Sequence, residues 1–353
     1  MSLLRVGQRV VTATILVAGL AACAGRQSGA PAASVATAAA PAQAAVTLVR
    51  VEGQQRVDVL FDGQPFTSYR WEPRLKKPVL FPLRSAAGAL ITRGWPLEPR
   101  EGEPTDHPHH FGLWFSYGDV DGVDFWGHSE KNASPSKGLI VHRTIDETRD
   151  GGGAGKGQGI LAVSADWVMP DGHAALHEQT RFGFAGGAGR RVVDRVMTLT
   201  AGAAAVTFPD NKEGVVGLRL AHELEHPADK NPGGTGHYRS SEGIEGEAVW
   251  GTRGRWLMLT AQSAGAPITI AMLDHPKNPG FPTYWHARPW GLMAANPLGQ
   301  KALSKGKDTL NFALPAGQSA RFAYRVLILA GHATPQQIEA EYQSFIAEQV
   351  AAR

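Results

Sequence analysis

Residues 159–200 read GILAVSADWVMPDGHAALHEQTRFGFAGGAGRRVVDRVMTLT, and this stretch carries the pattern that decides the fold. Apolar and polar residues alternate in short runs, and Gly, Pro and Asp separate the runs. A period of two residues buries one face of each run, which is typical of antiparallel strands. The same pattern recurs along the chain and predicts strands at Val46–Val51, Arg56–Phe61, Phe66–Trp71, Phe111–Tyr117, Gly138–Thr148, Gly159–Met169, Ala175–Ala185, Arg191–Thr200, Val215–Ala221, Trp256–Thr260, Ile268–Leu273, Thr309–Leu314 and Ala320–Leu329.

The composition is that of a folded, strand-rich protein. The 353 residues include 42 Gly, a share that favours many tight turns over long helices. A single Cys excludes an intramolecular disulfide, a redox dithiol and a zinc site built from cysteines alone. The formal net charge is +3, and it falls to +1 if a presequence containing Arg5 and Arg9 is removed. So small a charge provides no basic surface, and we expect no nucleic-acid partner.

The N-terminus has the features of an export signal. Arg5 and Arg9 precede an apolar run, Val10–Ala22, that ends in small residues and is too short to span a bilayer. The end of this run, LAAC at residues 20–23, resembles the lipobox of bacterial lipoproteins, in which the cysteine is acylated and becomes the first mature residue. This resemblance implies a signal peptide at residues 1–22 and lipidation of Cys23. The alternative is an ordinary cleavage site beside a buried structural cysteine.

Ala24 follows the cysteine, where Asp would be expected in a lipoprotein kept at the inner membrane. The resemblance therefore implies a lipid-anchored protein of the cell envelope, at the outer membrane and facing the periplasm or the cell surface. The expected partners are this membrane, through the lipid anchor, and whatever ligand the folded domain binds.

The rest of the chain divides into a linker and one folded domain. Residues 23–45 are rich in Ala and lack periodic large apolar residues, so they are predicted to form a flexible tether. Residues 46–353 show no internal repeat and no break in composition, which favours a single large antiparallel β-sandwich. The capping-box pattern Thr334-Pro335-Gln336-Gln337 precedes an apolar stripe and predicts a C-terminal helix.

Three polar stretches rich in Gly and Pro are too long for simple hairpins: Glu98–Pro108, Glu225–Gly246 and Pro276–Gly306. Long loops on a rigid β scaffold often carry function, so we expect the site to lie there. Three groups of polar residues in or beside these stretches are the candidates for chemistry.

The first group lies in residues 106–114, which read DHPHHFGLW. Three imidazoles within four residues can present acids, bases or metal ligands at the entry to a strand. His107 and His109 are therefore candidate catalytic residues, and Trp114 is a candidate for substrate contact. If strand pairing begins at His109, alternate residues face opposite sides, and the three histidines cannot all serve one site. The alternative is that one or two of these imidazoles only hydrogen-bond the loop backbone.

The second group reads DHPKN at residues 274–278 and YWHARPWG at residues 284–291, after a strongly apolar strand. Polar groups at a strand end are how catalytic loops are commonly mounted. The candidates are Asp274, His275 and His286 as catalytic residues, Trp285 and Trp290 to stack on a sugar, and Asn278 and Arg288 to donate hydrogen bonds to hydroxyls or a carboxylate. The alternative is that the tryptophans fill the core and Arg288 pairs with a structural carboxylate.

The third group, residues 210–214, opens the strand predicted at Val215 and reads DNKEG. Glu213 is a candidate general base opposite a histidine acid, and Lys212 is a candidate for substrate binding. The alternative is a solvated turn with no role in chemistry.

A bound divalent metal is a further alternative, because His107 and His109 are spaced as H-x-H and His286 or Asp274 supplies a third ligand for an open site. No carboxylate follows at the spacing used by cupins, so we expect no cofactor. The sequence also lacks the Gly-x-Ser-x-Gly, P-loop, Rossmann and His-Glu-x-x-His motifs. Their absence argues against serine hydrolases, nucleotide-binding proteins and zincins.

Four motifs resemble the bacterial "PmoA family" of exported proteins: HPHHFGLWF at 107–115, GDVDGVDFW at 118–126, DHPKNP at 274–279 and WHAR at 285–288. That name comes from a methane-oxygenase subunit, but no run of about 20 apolar residues follows Ala22, so we reject a membrane oxygenase. The resemblance implies a β-sandwich similar to the galactose-mutarotase-like supersandwich, encoded among saccharide-degrading genes. Sandwiches of the mutarotase and lyase type use a histidine acid and a carboxylate base around a sugar.

We therefore expect an exported lipoprotein that acts on carbohydrate by non-oxidative acid/base chemistry, as a hydrolase, a lyase or an epimerase. The alternative is a non-catalytic glycan-binding lipoprotein, which would use the tryptophans without needing the histidines. In both cases the ligand is a saccharide.

Overall fold

The computed structural model describes residues 43–152, 157–227 and 231–351. The export signal, Cys23 and most of the predicted tether lie outside the described residues. Gln43, near the end of that tether, already pairs with Gly187, so the folded part begins slightly before Val46. No helix within the described ranges is long and apolar enough to cross a membrane.

Strands make up most of the regular structure in these ranges, and their pairings are antiparallel. The strands are β1 Val46–Arg50, β2 Arg56–Phe61, β3 Gln64–Arg70, β4 Val79–Leu80, β5 Leu113–Tyr117, β6 Leu139–Arg149, β7 Gly159–Val168, β8 Ala174–Gly187, β9 Arg190–Ala201, β10 Val206–Phe208, β11 Gly214–Arg219, β12 His237–Ser240, β13 Arg253–Gly254, β14 Trp256–Ser263, β15 Ala266–Asp274, β16 Thr283–Arg288, β17 Leu292–Asn296, β18 Phe312–Leu314 and β19 Ser319–Ala330. The α-helices are α1 Gln300–Leu303 and α2 Pro335–Ala351.

Two large sheets face each other. Sheet I has the strand order β1-β2-β3-β4-β5-β11-β17-β16-β13, and sheet II has the order β12-β14-β15-β19-β9-β8-β7-β6. Strands β10 and β18 form a separate short pair. The antiparallel β-sandwich predicted from the alternating pattern is thus confirmed.

Aromatic side chains fill the main core between the two sheets. Phe115 of sheet I packs against Trp167 and Phe322 of sheet II, with ring centroids 6.0 Å and 5.6 Å away. Trp285 of sheet I belongs to the same buried cluster and is fully buried. Removing this aromatic area from water is a large favourable term in folding.

The predicted C-terminal helix is also confirmed, as α2. Its apolar residues Ile338, Tyr342 and Phe345 pack in one cluster with residues of sheet II on the face turned away from the main core. The capping box forms as predicted: Gln337 N donates to Thr334 Oγ1, and Thr334 N donates to Gln337 Oε1 at 2.7 Å.

Two predicted loops are corrected by the structure, and the first of them, Glu225–Gly246, contains β12 at the edge of sheet II. The stretch Pro276–Gly306 contains β16, β17 and α1, and two of its strands are central members of sheet I. Each of these two strands is only five or six residues long and is flanked by Pro or Gly residues. The alternation of residue types in them is therefore too short to recognise in the sequence. As a result, the polar residues of this stretch lie on a rigid sheet.

Candidate functional site

A row of paired residues crosses sheet I on the face turned away from the main core. Trp114 of β5 pairs with Gly217 of β11, Gly217 with Ala294 of β17, and Ala294 with His286 of β16. Paired residues on antiparallel neighbours project to the same face. The ring of Trp114 packs over Gly217, and Ala294 is also fully buried, so His286 is the residue of this row that reaches the cleft.

A cleft of about 320 Å³ lies on this face. It is lined by His107, His110, Lys212, Glu213, His286, Arg288 and Trp290. The cleft thus collects residues from all three of the polar groups found in the sequence.

His107 is oriented by the carboxylate next to it in the chain. Its Nδ1 lies 2.5 Å from Asp106 Oδ2, while Asp106 Oδ1 accepts hydrogen bonds from Arg93 at 2.6 Å and Arg219 at 3.1 Å. Burial alone would raise the pKa of Asp106, but the hydrogen bond from His107 and the two guanidinium charges outweigh it and hold this pKa well below its usual range. The ionised carboxylate makes Nδ1 the donor, so Nε2 of His107 is the nitrogen that can exchange a proton.

Trp290 forms an aromatic wall of the cleft. The His107 ring is nearly parallel to it, with centroids 4.5 Å apart and planes inclined by 11°. The guanidinium of the fully buried Arg219 lies 4.6 Å from the centre of the Trp290 ring. The His107 ring is therefore held by its hydrogen bond to Asp106 and by stacking on Trp290, which in turn packs on Arg219.

His286 is a neutral acceptor at its cleft-facing nitrogen. Its Nδ1 is 2.8 Å from the carbonyl of Lys212 and must donate to it, while Nε2 accepts from Arg288 Nε at 3.3 Å. Burial lowers the pKa of His286 to about 4, and the nearby charge of Glu213 opposes this shift only in part. The imidazole is therefore uncharged at neutral pH.

Glu213 lies in a turn that the sheet holds in place. The Asn296 side chain donates to the carbonyls of Asn211 and Lys212 at 2.8 Å and 2.9 Å, and Asn211 Oδ1 accepts from Glu213 N at 2.9 Å. Lys212 Nζ is 2.5 Å from Glu213 Oε1 at the partly exposed rim. This turn presents one carboxylate and one ammonium group to the cleft.

The sequence profile of a protein family described as being of unknown function, DUF6807, matches residues 56–343. The chain belongs to this family. No curated protein matches the sequence.

Solved structures with a similar fold are distant in sequence. The galactosidase domain of the α-galactosidase–sucrose kinase AgaSK is 8% identical over 81% of this chain and 42% of its own, with a TM-score of 0.39. The α-galactosidase AgaA from Geobacillus stearothermophilus is 9% identical over 81% and 40%, with a TM-score of 0.36. This chain thus spans about two fifths of the length of both. A galactose mutarotase related enzyme from Lactobacillus acidophilus is 8% identical over 82% and 98%, with a TM-score of 0.35. These likenesses are too distant to bear on activity.

The structure brings six of the predicted site residues together. The lining of the cleft includes His107, Lys212, Glu213, His286, Arg288 and Trp290. His109 is not part of this lining; its ring lies edge-on against His110, with centroids 4.2 Å apart. Burial lowers the pKa of His109 to about 2, so it stays neutral.

Three other predicted site residues lie in a turn that does not line the cleft. Asp274 is fully buried and accepts from Asn278 Nδ2 at 2.7 Å and Thr283 N at 2.9 Å. Asn278 also exchanges two hydrogen bonds with the backbone of Ala323 on β19. His275 packs edge-on against Phe345 of α2, at 5.5 Å. This turn ties β15 to its neighbours, so a shared site that includes Asp274, His275 and Asn278 is not formed.

Two of the three predicted substrate-binding tryptophans are also placed elsewhere. Trp285 alternates with His286 along β16 and faces the main core. Trp114 is fully buried beside Trp126, with centroids 5.0 Å apart. Neither ring is available to a ligand, and Trp290 is the tryptophan that lines the cleft.

Two residues of the site were missed by reasoning from the sequence. Arg219 lies inside the strand predicted at Val215–Ala221 and carried no sign of a role, yet it is fully buried beneath Trp290. His110 accepts a hydrogen bond from Trp126 Nε1 at 2.9 Å and is stacked on Trp114. The only sequence signal for His110 was its place in the histidine cluster.

A metal site is not supported by the side-chain arrangement. Within the ranges that the structure describes, no group of three or more His, Cys, Asp or Glu side chains is placed to hold a metal ion. His107 and His109 lie with ring centroids 5.8 Å apart, and His286 donates Nδ1 to a carbonyl and accepts at Nε2 from Arg288. The alternative site of His107, His109 and His286 therefore lacks a free, converging set of ligands.

Proposed function

We propose that the cleft on sheet I binds a saccharide and acts on it by non-oxidative acid/base chemistry, as a hydrolase, a lyase or an epimerase. The observation that carries this proposal is the Asp106–His107 pair, whose imidazole lies against Trp290 in the same cleft as Glu213. An oriented imidazole, a carboxylate and an aromatic wall are the groups that such chemistry on a sugar needs.

His107 is assigned the role of transferring a proton to or from the sugar. Asp106 is ionised and holds Nδ1, so Nε2 gains or loses the proton while the ring keeps its orientation. The imidazolium that forms during turnover is stabilised by the same carboxylate. Glu213, which lines the same cleft, is assigned the role of the complementary base or acid, and its Oε1 lies 2.5 Å from Lys212 Nζ.

His286 and Arg288 bind rather than transfer protons in this proposal. The neutral imidazole accepts from Arg288 Nε, which fixes the direction of the guanidinium. Arg288 then donates to oxygen atoms of the ligand.

The experiment uses the full chain in detergent with a panel of plant and bacterial oligosaccharides, and NMR follows new products or anomer exchange. Once a substrate is found, we expect His107→Ala and Glu213→Gln each to lower kcat by about 10²–10⁴-fold, the usual contribution of a general acid or base. Thermal unfolding of each variant checks that the fold is intact.

A matched control is available in the chain. Asp171 and His173 form another close pair, with Nδ1 2.6 Å from the carboxylate, on an exposed turn of sheet II. His173→Ala should leave turnover unchanged. If His107→Ala also leaves kcat unchanged, His107 is not a proton-transfer group. If a saccharide binds without turnover and binding survives His107→Ala but not Trp290→Ala, the protein is a glycan-binding protein instead.

We also propose that Cys23 is acylated and anchors the protein in the cell envelope, at the outer membrane. The support is the LAAC pattern at residues 20–23 after an apolar run. Expression in a Gram-negative bacterium with an alkyne-labelled fatty acid should label the wild-type chain and not Cys23→Ala. Equal labelling of both chains, or labelling of neither, would contradict the proposal.

A further inference from the structure

Arg288 stands out among the charged residues of the cleft. Lys212 is paired with Glu213 at 2.5 Å, and Arg219, below the wall of the cleft, is paired with Asp106 at 3.1 Å. Arg288 has no carboxylate within ion-pair distance among the residues that the structure describes. No carboxylate of that part of the chain therefore forms a direct ion pair with it.

The guanidinium of Arg288 is nevertheless held in a defined orientation. Its plane centre lies 4.8 Å from the centre of the Trp250 ring, and its Nε donates to His286 Nε2. Burial and the contact with Lys212 fix His286 in turn. Stacking and a hydrogen bond to Nε restrict the rotation of an arginine, so less entropy is lost when it binds a ligand.

The two Nη atoms form the free edge of this group. No hydrogen bond to another described residue engages them, and neither is a buried atom without a partner. They therefore remain accessible in a half-buried side chain that lines the cleft. Two parallel N–H donors at a fixed edge match the two oxygens of a carboxylate, and such a pair is stronger than a hydrogen bond to a neutral hydroxyl.

We propose that the saccharide bound in this cleft is acidic, and that Arg288 binds the carboxylate of its uronic acid residue through both Nη atoms. This inference rests on the proposed function, because it takes the cleft to be a saccharide site. It narrows the ligand class from sugars in general to those that carry a carboxylate.

The test compares matched ligands on the full chain in detergent. Oligosaccharides that contain glucuronate, galacturonate or mannuronate are paired with the same oligosaccharides after reduction of the carboxyl group to a hydroxymethyl group. Isothermal titration calorimetry measures both members of each pair. We expect the acidic member of at least one pair to bind at least about tenfold tighter, the lower end of what a charge-assisted hydrogen bond contributes.

Three variants assign the preference to one residue. Arg288→Gln should abolish the preference for the acidic member, and Arg288→Lys should keep part of it because the charge remains but the two-pronged geometry is lost. Arg239→Gln is the control, because Arg239 is a partly exposed arginine outside the cleft that pairs with Glu245 at 2.6 Å. It should leave the preference unchanged. The wild-type comparison stands by itself if Arg288→Gln does not fold.

The outcomes separate this inference from the proposed function. Equal binding of both members of every pair overturns the acidic-ligand inference and leaves the saccharide cleft standing. Tighter binding of sulfated oligosaccharides than of any uronate also overturns it. Binding of no saccharide at all overturns both.

Discussion

The fully buried Asp274 should make the free energy of unfolding depend on pH, and this dependence tests whether the polar turn after β15 has a structural role. Burial is the largest influence on this carboxyl group and raises its pKa from 3.8 to about 7, against the hydrogen bonds from Asn278 and Thr283. The native state therefore keeps its proton to higher pH than the unfolded chain. As the pH rises from about 4 to about 7, the unfolded state releases this proton first, and the free energy of unfolding must fall.

The size of this effect follows from the two pKa values. A difference of about three pKa units corresponds to about 4 kcal/mol when the whole range is crossed, at about 1.4 kcal/mol per unit. Between pH 5 and pH 8, the same two values give a loss of about 2.5 kcal/mol.

The assay is urea unfolding of the wild type and of Asp274→Asn at about pH 5 and about pH 8. The variant has no proton to lose, so the stability advantage of the wild type should shrink by about 2.5 kcal/mol between these two pH values. Asp171→Asn is the control: Asp171 is exposed and has a lowered pKa, so it is ionised in both states over this range. Its difference from the wild type should stay constant.

Two results would refute this reasoning. A constant difference between wild type and Asp274→Asn would mean that Asp274 is ionised at pH 5 in the folded protein. A difference that grows with pH would mean that the buried carboxylate is stabilised by charges rather than penalised by burial.

Three further substitutions should lower the free energy of unfolding, which urea unfolding at neutral pH measures. In Gly217→Ala the new Cβ overlaps the ring of Trp114, so we expect a loss of about 1–3 kcal/mol, and an unchanged midpoint would contradict this packing. In Asp194→Ala the buried Arg325 loses its two-pronged partner and keeps only Glu348, so we expect a loss of about 1–3 kcal/mol, and an unchanged midpoint would contradict this pairing. Trp285→Ala should lower the free energy of unfolding by about 3–5 kcal/mol and leave saccharide binding unchanged at a low temperature at which the variant is folded. Loss of binding by the folded variant would mean that Trp285 contributes to the site.

Much of the sandwich was predictable because its long hairpins repeat a simple alternation. The strand predicted at Ala175–Ala185 is β8, Ala174–Gly187, and the strand predicted at Arg191–Thr200 is β9, Arg190–Ala201. The strands that escaped prediction are short, such as β17 with five residues. A strand of this length shows too few alternations to be separated from a loop, and its identity depends on the neighbours with which it pairs.

The error at Trp285 came from one missed strand. Once β16 is recognised, Trp285 and Ala287 belong to the inward face, and His286 and Arg288 belong to the outward face. Neighbouring residues in a dense polar segment then have opposite roles. Read as a loop, the same segment gave no reason to separate the tryptophan from the histidine.

Other parts of the site depend on contacts far apart in the chain. Arg219 donates a hydrogen bond to Asp106, which is 113 residues away in the sequence. His286 donates a hydrogen bond to the backbone carbonyl of Lys212, which is 74 residues away. No local pattern marks these partners. Such pairs become visible only when the strand order of sheet I brings β11 and β16 to either side of β17.

Beside the cleft, two neighbouring central strands carry almost no side chain at one level of the sheet, and this makes room for the buried ring of Trp114. Gly217 is required there, since any Cβ would meet the ring of Trp114, which packs across β11 from its own strand. Ala294 lies between Gly217 and His286 in the same row and is fully buried in the aromatic cluster that contains Trp114. This packing ends at His286, and beyond it His286 and Arg288 line the cleft together with His107.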